Sequence, residues 1–173
     1  IEQMDVDHVM FTPKRSLVNE LARASIYAIG DACWHCHAGV GAYPLKVAVD
    51  YKIPLIVWGE SIAESSGRAT YRSPGKSFDR DYFLKVSAKV SPLEMNKTQG
   101  VTQRLDAFES PTQALLDEIG LMGIHLGDFI FWDDERQTEF VKRHYGWQET
   151  EIEGTYKRYK SAECTMPGVH DFS

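Results

Sequence analysis

Residues 53–58, Ile-Pro-Leu-Ile-Val-Trp, set the tightest limit on what this chain can fold into. The run is apolar without alternation. A strand with one wet face alternates, whereas a strand covered on both faces by helices does not, so the run predicts a buried strand of a parallel sheet. Pro54 fits such a strand only at its start, because it has no N–H for the ladder. Gly59-Glu60 follows directly. Open α/β sheets bind ligands beyond the carboxyl ends of their strands, which makes Trp58, Gly59 and Glu60 candidate binding residues. Glu60 is also a candidate catalytic carboxylate, able to hold Mg²⁺ or orient a substrate. The plainer reading is a solvated loop glutamate.

The flanking pattern agrees with that architecture. Val6 to Phe11 reads as a short strand interrupted by His8. Thr12 as N-cap and Pro13 at the first helical position open a helix, in which Leu17, Leu21, Ala24 and Ala28 share one face. Gly30 closes it. A second helix is expected over Cys36 to Tyr51, kinked or delayed by Pro44. Ser61 to about Lys85 is polar and rich in Gly, Ser and Arg, part of a long loop or insert at about 61–105. Ser110-Pro111-Thr112-Gln113 carries a capping-box pattern for a helix running to Gly120. Ile124 to Trp132 reads as a strand, and Asp133 caps a helix ending near Tyr145-Gly146. The order predicts one α/β domain over 1–173, a largely parallel sheet flanked by helices.

Composition narrows the function classes. The 173 residues suffice for one domain with a core, and 43% hydrophobic with 25% charged residues is ordinary for a globular chain. A net charge of −6 argues against a general nucleic-acid binder, which needs a basic face. Lys157, Arg158 and Lys160 read as a solvated cluster. No run approaches the roughly 20 apolar residues of a membrane span, and the N-terminus lacks a signal-peptide pattern, so a cytoplasmic location without membrane partners is expected. Asn96-Lys97-Thr98 has the form of a glycosylation acceptor but carries no weight there.

Cys33-Trp34-His35-Cys36-His37 is the sharpest chemical feature. Two thiols three positions apart can face one metal ion or cluster, serve as a redox dithiol, or simply be buried. The redox reading is set aside because a helix ending at Gly30, not a strand, precedes the motif. The third cysteine is Cys164. Three thiolates can hold a four-iron cluster, while zinc would need an imidazole such as His35, His37 or His170 as a fourth ligand. The candidate metal set is therefore Cys33, Cys36, Cys164 and His37. Ser73-Pro74-Gly75-Lys76-Ser77 resembles the end of a phosphate loop, but Thr70 stands where that loop needs glycine. Gly127-Asp128 falls within the expected third strand, where glycine permits close backbone approach. Trp132, Tyr145, Trp147 and Tyr156 read as core or rim residues. His170-Asp171 is not taken as a dyad, since adjacent residues on an extended segment point apart.

Taken in order, several segments resemble the N-acetyl sugar amidotransferases: residues 31–39, Lys46-Val47-Ala48, residues 53–60, Leu126-Gly127-Asp128-Phe129-Ile130, Trp132-Asp133, Tyr145-Gly146-Trp147, Glu163-Cys164 and Gly168-Val169-His170-Asp171. The resemblance spans about residues 5 to 172 and weakens over 62 to 105. That family belongs to the PP-loop group of adenine-nucleotide α-hydrolases. The resemblance implies a Rossmann-like parallel sheet, ATP and Mg²⁺ as cofactors, and conversion of the acetamido group of a nucleotide-linked sugar to an acetamidino group, with ammonia from a glutaminase partner. The setting it implies is surface polysaccharide (lipopolysaccharide) synthesis. The phosphate loop of the family, a Ser-Gly-Gly-x-Asp-Ser type sequence, is expected N-terminal to Ile1, so this stretch alone is not expected to hydrolyse ATP. Related tRNA thiolases of the group carry a similar Cys-x-x-Cys and a later cysteine on an iron–sulfur cluster, which keeps cluster-dependent sulfur transfer as a second expectation. A third is a metal-stabilised fragment that only docks a partner.

Overall fold

The first α-helix among the described residues is the one closed by Gly30. The computed structural model describes residues 4–59, 88–131 and 133–148. Helix α1 spans Arg15–Ile29 and buries Leu17, Leu21, Ala24 and Ser25, the expected face with Ala28 only half-buried. Its N-cap is Lys14, not Thr12, and no side-chain oxygen caps it. At the other end Gly30 adopts φ 73°, a left-handed conformation that costs glycine little, and its N–H donates to the Ile26 carbonyl at 3.0 Å.

Helix α2, Trp34–Tyr51, starts two residues before the expected Cys36 and runs continuously through Pro44. Lys52 then turns the chain in a left-handed conformation, and strand β1, Leu55–Trp58, follows. Helix α3 covers Pro92–Gln99, a short 3-10 turn Asp106–Phe108, helix α4 Gln113–Glu118 and strand β2 Met122–His125. A second 3-10 turn, Leu126–Asp128, leads toward helix α5, Asp134–Tyr145. No described helix is long and apolar enough to cross a membrane.

The class is mixed α/β. Among the described residues the sheet has two strands, β1 and β2, paired in parallel with Leu55 opposite Met122 and Trp58 opposite His125. Parallel strands need a long crossover, and the chain between Gly59 and Leu121 supplies it. The expectation of a strand buried on both faces is corrected here. Ile56 and Trp58 pack with Leu45 and Val49 of α2 and Leu116 of α4, but Leu55, Val57 and Met122 are 42%, 50% and 50% exposed. The described helices cover only one face. The strand expected over Ile124 to Trp132 is instead β2 at Met122–His125. A ladder extends only as far as its partner, β1 stops at Trp58, and Gly127-Asp128 therefore lies in the 3-10 turn and not in a strand.

Two further expectations change. Val6 to Phe11 forms no strand; Val6, Val9 and Met10 are exposed and no described residue pairs with their backbone in a ladder. Helix α4 begins at Gln113 with Thr112 as N-cap, because the Gln113 amide donates to Asp117 Oδ1 at 2.8 Å instead of reaching back to close a box at Ser110. Asp133 does cap α5, its Oδ1 accepting the Arg136 N–H at 3.0 Å, and Gly146 closes it in the left-handed region. By Cα packing, the described residues 4–12 with 133–148 form one unit and 13–59 with 88–131 another.

The main core of the larger unit centres on Trp34, the first residue of α2. It is fully buried among Leu17, Leu21, Ala38, Met95, Leu105 and Phe108. Its indole N–H donates to the Val90 carbonyl at 2.8 Å, and its ring lies 5.8 Å from that of Phe108. Helix α3, within the stretch left as insert by the sequence reading, brings Met95 into this core. A capping box starts it: the Glu94 N–H donates to Ser91 Oγ at 3.2 Å and the Ser91 N–H to Glu94 Oε2 at 2.9 Å. Trp34→Ala is expected to cost about 3–5 kcal/mol, the range for truncating a buried aromatic. Trp34→Phe should cost about 1–3 kcal/mol by leaving the Val90 carbonyl without its donor. Urea unfolding measures both, and a loss below about 1 kcal/mol for the alanine variant would remove Trp34 from the centre of the core.

Candidate functional site

The first turn of α2 gathers most of the chemistry that the structure describes. Gly30 ends α1, and the next residue, Asp31, turns its carboxylate onto the start of α2. Asp31 is 4% exposed. Its Oδ1 accepts the Cys33 N–H at 2.7 Å, and its Oδ2 lies 3.3 Å from His37 Nδ1. One buried carboxylate thus engages a backbone N–H at the N-cap and an imidazole one turn later. It satisfies a donor that a helix start leaves without a partner within the helix, and its charge suits the positive end of the helix dipole.

The two cysteines occupy different environments. Cys33 is the N-cap residue and buried; Cys36 is the third residue of α2 and exposed. The turn between them is closed by the Cys36 N–H donating to the Cys33 carbonyl at 2.9 Å and the His37 N–H to the same carbonyl at 3.1 Å. His37 is about one-third exposed along its side chain. Burial pushes the pKa of His35 below its ordinary value of 6.5; the Ala32 backbone opposes this, His37 adds to it, and Asp31 opposes it.

As metal donors, Cys33 and Cys36 fit the soft-ligand chemistry of zinc or an iron–sulfur cluster. Among the described residues no three His, Cys, Asp or Glu side chains come together closely enough to hold a metal ion. Cys164, the third thiol of the expected set, lies outside the described residues, as does Glu60.

The carboxyl edge of the sheet is the second locus. Trp58, half-buried against the Leu45–Leu116 cluster, ends β1, and Gly59 follows at a bend. Gly59 is exposed, and a Cβ added to it would meet no atom of the described residues within 4 Å. Opposite Trp58 stands His125, 5% exposed, and Asp128 in the following turn is 4% exposed. The sequence reading passed over both as site residues and missed Asp31 as well. Their signal was positional: a histidine ending a short strand with an acid in the turn that follows, and an acid two residues before a helix N-cap.

No protein-family model matches the chain, and no curated protein matches it significantly.

Two measurements follow from this geometry. Metal analysis of purified protein should find metal in the parent chain and lose it in Cys33→Ser; full metal content in the variant would remove Cys33 from any such site. The second concerns pH. The folded-state pKa of His35 is below its unfolded value, so the unfolded chain takes up that proton first as pH falls. The stability is present above about pH 6.5 and is lost as pH drops through the folded pKa. Subtracting unfolding curves of His35→Gln from those of the parent should reveal that loss below pH ~6.5; a difference that is flat with pH would show that burial does not act on His35.

Proposed function

We propose that this chain is part of a PP-loop-type, ATP-dependent amidotransferase that replaces the amide oxygen of a nucleotide-linked N-acetyl sugar with nitrogen. The observation that carries the reading is the parallel pairing of β1 and β2, which sets Trp58 and His125 side by side at one carboxyl edge. That edge, the place where α/β sheets bind ligands, is formed by β1 and β2, which lie in and just before the segments 53–60 and 126–130 through which the chain resembles the family. The pairing supports, in the finer reading, a Rossmann-like sheet of which β1 and β2 are neighbouring strands.

The chemistry is economical. An amide oxygen is a poor leaving group, and ATP, when bound, supplies the adenylyl group that makes it a good one. Glu60, after β1, is assigned to Mg²⁺ or to the substrate side of the site. Exposed Gly59 admits a ligand, and Trp58 forms the wall beneath it. Ammonia is delivered by a glutaminase partner. The cytoplasm, where nucleotide sugars and ATP are both present, is the location that suits this reaction. No step is assigned to the phosphates.

A second reading is kept because of one observation. Cys33 and Cys36 lie in the first turn of the helix that leads into β1, the arrangement expected for a cluster-dependent sulfur transferase of the same group. The charge of −6 weighs against the tRNA substrate of that chemistry.

The deciding experiment supplies the full-length natural protein with ATP, Mg²⁺, isotopically labelled ammonium and a nucleotide-linked N-acetyl sugar. Label in the sugar, with pyrophosphate released, is the expected result, and Glu60→Gln should lose turnover while keeping its circular dichroism spectrum. An unchanged sugar overturns the amidotransferase reading. Iron with acid-labile sulfide in that same preparation would move the assignment to sulfur transfer.

A further inference from the structure

Beside the buried face of α1 runs a groove of about 460 Å³, lined by Ser16, Asn19, Glu20, Arg23, Ala24 and Tyr27. At about 3.6 residues per turn, Ser16, Glu20, Arg23 and Tyr27 fall on one line along the helix, with Asn19 and Ala24 on its flanks. We infer that this face of α1 is an interface with a second copy of the chain, whose own α1 lies across it antiparallel. The inference does not rest on the amidotransferase reading.

The order of charges selects that occupant. Glu20 and Arg23 are spaced to pair with each other along the helix, yet they do not. The Glu20 carboxylate turns to the loop beyond α3, where Oε2 accepts the Gln103 side-chain N–H at 2.6 Å and Oε1 the Thr102 N–H at 3.4 Å. Arg23 is exposed and forms no ion pair with any described residue. A two-fold axis passing between Leu21 and Ala22 makes this face complementary to itself, as a symmetric dimer requires. It sets the partner's Arg23 level with Glu20, and the partner's Glu20 level with Arg23. A carboxylate has lone pairs enough to accept both Gln103 and a guanidinium. A parallel arrangement would oppose Glu20 to Glu20 and Arg23 to Arg23, and like charges across an interface repel.

Side-chain size agrees. Tyr27 is 86% exposed, more than any other large hydrophobic residue described. The same axis sets it level with the partner's Ser16, a small residue that leaves room for the ring and offers its hydroxyl a partner. Ala24, with nothing beyond Cβ, lets the second helix come close. Exposed ion pairs contribute little by themselves. Here they fix the orientation, while covering the Tyr27 ring supplies most of the attraction. One face of a 15-residue helix is smaller than the ~800 Å² per partner of a standard interface, so the dimer is expected to form and dissociate with concentration.

The test is sedimentation of the full chain over a concentration series, with Arg23→Glu, Glu20→Arg and Tyr27→Ala beside the parent. The parent should pass from monomer to dimer as concentration rises. Arg23→Glu alone and Glu20→Arg alone each oppose like charges twice across the axis, and each should raise the dissociation constant roughly tenfold. Mixing those two variants in equal amounts should restore the dimer, because the two acids of one chain then meet the two arginines of the other. Tyr27→Ala should weaken it with no change of charge. Arg23 and Tyr27 are exposed, so their variants should keep the parent circular dichroism spectrum. Should Glu20→Arg lose its spectrum along with the Gln103 contact, Arg23→Glu and Tyr27→Ala still decide the question. A parent that stays monomeric throughout, a dimer that the Arg23 and Tyr27 variants leave intact, or a mixture of folded charge variants that stays monomeric would each overturn the inference.

Discussion

The burial of Trp34 is the contact on which the larger unit depends. Its ring fills the space among α1, α3 and the 3-10 turn at Asp106–Phe108, and its N–H satisfies the Val90 carbonyl just before α3. A buried indole must find an acceptor, and this one finds it 56 residues along the chain. Trp34 therefore fixes where the segment that returns after β1 comes to rest. Because it is the first residue of α2, it also anchors the turn carrying Cys33, Cys36 and His37.

Helix α2 links two environments. Its amino-terminal half, through Trp34 and Ala38, belongs to the main core, while Leu45 and Val49 in its far half support Ile56 and Trp58 of β1. One helix thus joins the cysteine turn to the sheet edge, the two places where reactive side chains collect. At the cysteine turn a charge is buried and matched: Asp31 has both oxygens engaged, one by a backbone N–H and the other near an imidazole. A buried carboxylate is tolerable only with such partners, and its position fixes the geometry of the turn.

Much of the local structure was legible. Gly30, Gly146 and the Asp133 cap mark helix ends through rules that act within four residues, and the structure has all three. Leu17, Leu21 and Ala24 fall on the buried face that their spacing predicts. Helix α3 was equally legible and was missed: Ser91-Pro92-Leu93-Glu94 carries the same Ser-Pro start and a fuller capping box than Ser110-Pro111-Thr112-Gln113, where the box did not form. The difference lies in the residue three places after each serine. Glu94 reaches back to Ser91, while the Gln113 amide has a competing acceptor in Asp117.

The sequence by itself determined the helix ends at Gly30, Asp133 and Gly146, the buried face of α1, the existence of β1 and β2 and the cysteine pair in its turn. All of these follow from short-range sterics, hydrogen bonding and periodicity. Only the tertiary structure decided where each strand ends, which strand face is covered, and that Asp31 turns its carboxylate onto the cysteine turn. A strand ends where its partner ends, as β2 does opposite Trp58, and a face is buried only where a helix crosses it. Both depend on residues far away in the chain, and no local pattern in 53–58 or 124–132 records them.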